Sequence, residues 1–167
     1  MTSDNSRLGR LAVLAFMAVS AFPSLAPSAH AQEAPSAWRV ECSGDGKTLD
    51  CRAVQQMVNR EDKQIIIQLV ARVPADTKAP VLLIQLPLGI NLTEPVQLKI
   101  DGGAVERYPV QTCTTAGCLV SVPLTDPLLS AMRSSAILKV TVSDTNKRTL
   151  NIDVPLLGFG LAYDKAK

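Results

Sequence analysis

The stretch that most limits what this chain can fold into is Leu82-Leu83-Ile84-Gln85-Leu86-Pro87-Leu88-Gly89-Ile90. It is apolar at both odd and even positions, which predicts a strand buried on both sides. Pro87 cannot donate to a ladder and Gly89 frees the backbone to turn, so the strand should stop there. The next run, Val96-Gln97-Leu98-Lys99-Ile100, alternates apolar and polar residues as a half-buried strand does. Asp101-Gly102-Gly103 closes it with residues that tolerate positive φ.

Other runs supply partners. Trp38 to Cys42 alternates apolar and charged residues and is expected to be the first strand. Ser43 to Thr48 is a glycine-rich turn, and Leu49 to Val58 brings the chain back. Asn59 to Lys63 is a charged turn before the β-branched run Gln64 to Val73. Ala104 to Thr112 reads as one further strand, with Pro109 marking an edge or a bulge. Leu119 to Val122, Ala136 to Ser143 and Leu150 to Val154 complete the strands. Thr125 to Arg133 is the best helix: Thr125 or Asp126 can cap it, and Pro127 suits its first turn. The tail Pro155 to Tyr163 is an apolar segment, irregular or a short helix. Many short strands at steady spacing with one short helix predict an all-β fold, an antiparallel β-sandwich.

The chain has 167 residues, and its start has a different character. Arg7 and Arg10 precede an apolar stretch from Leu11 to Phe22, and Ala29-His30-Ala31 offers the small residues at which a signal peptidase cuts. Residues 1–31 are therefore expected to be a secretory signal peptide, leaving 32–167 as a single domain. The apolar run is too short for a membrane anchor, and no later run is long enough to span a bilayer. Removing Arg7, Arg10 and Asp4 from totals of 17 basic and 15 acidic residues leaves a net charge near +1. That balance gives no electrostatic reason to expect nucleic acid or an anionic membrane as partner.

All four cysteines, Cys42, Cys51, Cys113 and Cys118, fall after the cleavage point. An even number in an exported domain points to disulfides rather than zinc, whose usual ligand spacings differ from these. Of the three pairings, Cys42–Cys51 and Cys113–Cys118 are favoured because each pair is close in sequence. Cys113-Thr114-Thr115-Ala116-Gly117-Cys118 reads as a hairpin whose cysteines face each other.

The one histidine, His30, lies in the signal peptide. The domain thus lacks the residue needed for Ser-His-Asp or Cys-His nucleophiles and for histidine-ligated metals. Asp101, Glu106, Asp126 and Asp153 are scattered, and Ser134 or Ser135 with Lys139 would be the one candidate Ser-Lys dyad. No cofactor is implied. Asn91-Leu92-Thr93 matches a glycosylation sequon by coincidence. Trp38, Phe159, Leu161 and Tyr163 are the candidates for an apolar partner surface, but with so few aromatic residues in the domain a core or edge-covering role is favoured for them.

The residues together resemble the invasion-associated locus B family. The resemblance runs from Trp38-Arg39-Val40-Glu41-Cys42 and Cys51 with Gln55, through Pro87-Leu88-Gly89 and Leu98-Lys99-Ile100-Asp101-Gly102. It continues through Cys113 with Gly117-Cys118 and the Asp126 to Met132 segment to the tail Leu157-Gly158-Phe159. It covers nearly the whole predicted domain, in order and spacing rather than by any single motif. The resemblance implies an exported alphaproteobacterial envelope protein with an immunoglobulin-like β-sandwich, named for host-cell invasion, and brings no catalytic motif. A non-catalytic domain that binds a protein or cell-surface partner is the expectation. The alternatives are a periplasmic thiol-redox accessory or carboxylate enzyme, and a chaperone-like assembly factor.

Overall fold

The computed structural model describes residues 37–44, 46 and 48–167. The predicted signal peptide, 1–31, lies outside the described residues. Among the described residues ten strands and two helices follow one another: β1 (Arg39–Gly44), β2 (Leu49–Val58), β3 (Ile65–Arg72), β4 (Val81–Leu86), β5 (Val96–Ile100), β6 (Glu106–Tyr108), β7 (Thr112–Thr114), β8 (Gly117–Pro123), α1 (Asp126–Ser134), β9 (Ile137–Ser143), β10 (Thr149–Pro155) and α2 (Phe159–Ala166). The strands form two antiparallel sheets, ordered β1-β2-β3-β4-β8-β7 and β10-β9-β5-β6. Their inner faces make a β-sandwich.

The inner face of the larger sheet is a set of rows fixed by register. Gln55 lies opposite Leu69, Leu69 opposite Ile84, and Ile84 opposite Val120. Leu82, Ile84 and Leu86 are buried against Leu98, Val140 and Leu138 of the smaller sheet. Alternation in β5 holds, with Val96 and Leu98 inward and Gln97 and Lys99 outward and half-buried. The central strand β4 departs from the expectation of burial on both faces. Its outer residues Val81, Leu83 and Gln85 are only half-buried. Leu83 is sheltered sideways instead, in a row with Val70 and Val54 on the neighbouring strands.

The stretch expected as one strand from 104 to 112 is two, in different sheets. β6 pairs with β5 and β7 pairs with β8. Pro109 sits at the crossing, where a residue without an N–H ends one ladder before the next begins. Thr125 caps α1: its hydroxyl accepts from the Leu128 N–H at 3.4 Å, with Pro127 in the first turn. An N-cap of this kind is worth about 1 kcal/mol.

The tail is a second helix, correcting the expectation of a single one. Gly158 takes φ 85° and turns the chain into α2, which packs against β1, β2 and β3. Beyond the reach of the smaller sheet, the six-stranded sheet would expose its inner face, and α2 covers it there. Phe159, Ala162, Tyr163 and Ala166 supply the buried stripe, which recurs at helical spacing.

Candidate interaction surface

Both disulfides join residues directly opposite each other on paired strands, Cys42 with Cys51 and Cys113 with Cys118. They staple the β1–β2 and β7–β8 hairpins. No free cysteine occurs among the described residues. In the second hairpin Gly117 takes φ 130°, and a Cβ there would collide with the Leu86 carbonyl. Glycine is therefore required for the hairpin to lie against the end of β4. Gln85 Nε2 also donates to Ala116 O at 2.6 Å.

That hairpin belongs to one end of the sandwich, where the β2–β3 turn, the β4–β5 loop and the β9–β10 turn also gather. The β4–β5 loop is tied down at several points. Ile90 bridges to Asp144, Asn91 N–H donates to Ser143 O at 2.7 Å, and Thr145 N–H donates to Gly89 O at 3.0 Å. Ser143 Oγ donates to Glu94 Oε2 at 2.5 Å. Asn91 Oδ1 accepts from the backbone and hydroxyl of Thr93, so the Asn-Leu-Thr triplet is explained locally as an Asx turn.

Asp144 organises the facing turn and is only 8% exposed. Its Oδ1 accepts from the backbone N–H groups of Asn146 and Arg148, each at 2.8 Å, and its Oδ2 meets the Arg148 guanidinium at 2.6 Å. The Arg148 backbone bond is the main reason its carboxyl stays below the usual range, with the guanidinium and Asn146 adding to it.

On this pinned end four aliphatic side chains face solvent: Val58 at 46%, Ile65 at 40%, and Leu88 and Leu92 at 58% each. Val58 and Ile65 are cross-strand partners. Leu88 lies two residues beyond the end of β4, the strand beside β3. Ile65 opens β3 at this same end of the sheet. Ile65 keeps the parity of buried Ile67 and Leu69 along β3, and Leu88 follows buried Ile84 and Leu86 at the same two-residue spacing, yet both face solvent. Sequence reading missed this set. The available signal was Leu88 and Leu92 standing amid turn formers, Pro87, Gly89 and Asn91, where an exposed leucine has no folding reason.

The residues proposed from sequence as a partner surface are placed elsewhere. Trp38, Phe159 and Tyr163 are buried, in keeping with the core role favoured from sequence, and of the four only Leu161 projects into solvent, at 67%. Trp38 Nε1 donates to Pro155 O at 3.0 Å, and Phe159 meets the Trp38 ring edge to face and stacks on the Tyr163 ring. Arg133 of α1 clasps Asp164 of α2 with bonds of 2.8 and 2.7 Å and lies over the Tyr163 ring. Lys167 joins Asp164 at 2.9 Å. The Arg133 bond, then the Lys167 bond, holds the Asp164 carboxyl well below the ordinary range.

Of the candidate chemical groups, only Asp101, Asp153 and Lys139 come together. Ser134 Oγ donates to Ser130 O and Ala131 O within α1, and Lys139 pairs with Asp153 at 3.7 Å. Asp101 and Asp153 line one shallow recess with Lys99 and Lys139. Asp126 lies in the first turn of α1. Glu106 accepts from the Tyr108 hydroxyl, and burial, reinforced by Glu106, pushes that phenol up to about 12. Among the described residues no group of three or more His, Cys, Asp or Glu could hold a metal ion. An apolar recess of about 160 Å³ lies between α1 and the β5–β6 loop, lined by Leu98, Ile100, Ala104, Pro127, Leu128 and Ala131. Its volume suits a group the size of a benzene ring, far less than a segment of unfolded chain.

Residues 38–167 match the family model described as "Invasion associated locus B (IalB) protein". The chain belongs to the invasion associated locus B family. Among IalB relatives, an invasion protein B homolog of Brucella abortus (strain 2308) is 27% identical over 154 residues, covering 90% of this chain and 88% of its own. Invasion protein B of Bartonella bacilliformis is 30% identical over 132 residues, covering 77% and 70%. The crystal structure of invasion associated protein b from Bartonella henselae superposes with a TM-score of 0.68 at 26% identity. It covers 80% of this chain and 92% of that one. The IalB sandwich is thus shared. No helix among the described residues is long and apolar enough to cross a membrane.

Proposed function

We propose that this IalB chain is an exported, non-catalytic envelope domain that binds a protein or cell-surface partner through the loop end carrying Val58, Ile65, Leu88 and Leu92. The observation that carries the reading is the pairing of exposure with order. Leu88 and Leu92 are left in water on a loop tied to the Asp144 turn, and Val58 and Ile65 beside them on the paired ends of β2 and β3. Such a surface loses little conformational entropy on docking. The relatives are named as invasion proteins, and contact with a host cell is the role this naming supports for the surface.

Export rests on the Arg7 to Ala31 signal pattern and on two disulfides, which suit an oxidising compartment. Intact mass of the exported chain should place Gln32 at its N-terminus, and a full-length chain held in the inner membrane would refute processing. The surface itself is tested by crosslinked pull-down from the native envelope with the double variant Leu88→Ser, Leu92→Ser. The expected result is a folded protein with unchanged melting temperature that no longer captures the partner retained by the parent chain. Equal capture by both would overturn the assignment to this end. A purified domain that turns over a substrate, and stops on replacing one carboxylate while still folded, would overturn the non-catalytic reading.

A further inference from the structure

We infer that the free edge of β10 pairs with β10 of a second copy of this chain, in antiparallel register centred on Asn151. The direction of the edge groups follows from two bonds. Leu156 N–H donates to Ala136 O, and Asp144 N–H donates to Arg148 O. Both pairs continue the β9–β10 register, in which Thr149 faces Ser143 and Pro155 faces Ile137. Bonded and non-bonded pairs alternate in an antiparallel ladder. Leu150, Ile152 and Val154 therefore exchange bonds with β9, while Thr149, Asn151 and Asp153 turn their N–H and C=O groups away from it. Pro155 shares this outward parity. It has no N–H to offer, and its carbonyl already accepts from Trp38 Nε1 at 3.0 Å. The other outward groups have no backbone partner among the described residues.

This edge lacks the usual guards against pairing. β10 pairs with β9 without a register break over its whole length, has no proline before Pro155, and carries no lysine. Its one charge, Asp153, is engaged by Lys139. The other edges are protected: β6 and β7 have 3 residues each, and β1 presents Arg39 and Glu41, the latter bonded to Arg39 and Arg52. Thr149, Leu150, Asn151 and Asp153 are all exposed.

The sequence of the edge selects a copy of itself. With Asn151 opposite Asn151 at the two-fold axis, Thr149 faces Asp153, giving a hydroxyl donor to a carboxylate. Leu150, 47% exposed in one copy, faces Ile152 of the other. Every outward N–H and C=O of Thr149, Asn151 and Asp153 is then satisfied. Centring on Ile152 would waste Thr149 on Pro155, and centring on Asp153 would set two carboxylates opposite each other. The result is one continuous sheet running from β6 of one copy to β6 of the next.

Sedimentation of the exported chain should show a dimer. Asn151→Pro removes an outward N–H and leaves the β9 ladder intact, so it should give a monomer with unchanged circular dichroism. Leu150→Lys, which alters no backbone group, should also abolish the dimer and decides the matter if the proline variant misfolds. Asn151→Cys should form an intermolecular disulfide under oxidation, whereas Ile152→Cys, offset across the axis, should not. A parent chain that is monomeric at every concentration overturns the proposal, including the case where another protein's extended segment takes the edge. Crosslinking through position 152 in place of 151 overturns the register.

Discussion

Trp38 and Phe159 meet edge to face with ring centroids 4.9 Å apart and planes inclined at 68°. They join the residue before the first strand to the start of the last helix. Phe159 is fully buried, so truncation leaves a ring-sized cavity that the surrounding strands cannot close. Phe159→Ala should cost about 3–5 kcal/mol of stability. Chemical denaturation measures the loss, and at temperatures where the variant is folded its partner capture should match the parent's. Capture lost in a folded variant of normal stability would mean the aromatic cluster is part of the binding surface after all.

Acid should loosen the attachment of α2 before it unfolds the sheets. Asp164 has its carboxyl depressed below the ordinary value of 3.8 by Arg133 and Lys167. A depressed carboxyl contributes stability that is fully present above the unfolded value and is lost as pH falls through the folded one. Asp164→Asn should therefore melt below the parent at neutral pH, and the gap should shrink as pH drops below about 4. The pair is partly exposed, so salt should narrow the gap too. A constant gap across the acid range would show that the ion pair does not hold the helix.

Much of the sandwich was legible because each strand carries its own signal. Val96 to Ile100 alternates, Thr125 and Pro127 announce α1, and Gly117 between close cysteines announces a hairpin. Two features were hidden for physical reasons. The break at Pro109 separates sheets, and only tertiary packing tells a crossing from an edge bulge. The core was the favoured place for the tail's aromatic residues, but not which face they cover, because nothing local records that β1 and β2 lack a covering sheet. The exposed set at the loop end was less legible still. Val58 and Ile65 belong to ordinary strand patterns, and their exposure depends on where the opposite sheet stops.

The two disulfides should differ in what their loss affects. By the chain-entropy account, removing either short bridge costs roughly 2–3 kcal/mol. Cys42 and Cys51 staple the β1–β2 hairpin, away from the loop end. Replacing both with serine should lower the melting temperature and spare partner capture. Replacing Cys113 and Cys118 should lower stability comparably and also weaken capture, since that hairpin braces the end of β4 beside Leu88. Thermal melts paired with pull-down on both double-serine variants check this, and equal capture by the two would detach the hairpin from recognition.

Asp144 links local order to the proposed surface. Its carboxylate satisfies two backbone N–H groups and one guanidinium in the β9–β10 turn, and that turn in turn holds the β4–β5 loop through Thr145 and Ser143. In Asp144→Ala the turn loses its internal acceptor, and the loop that carries Leu88 and Leu92 loses its anchor. The sandwich core, built from other residues, should stay folded. Hydrogen exchange should accelerate across residues 88–95 and 144–148 while the amides of β3, β4 and β8 keep their protection. Capture should weaken although neither leucine has changed, because a mobile loop must be ordered again on docking. Faster exchange with undiminished capture would show that the surface does not depend on being held rigid.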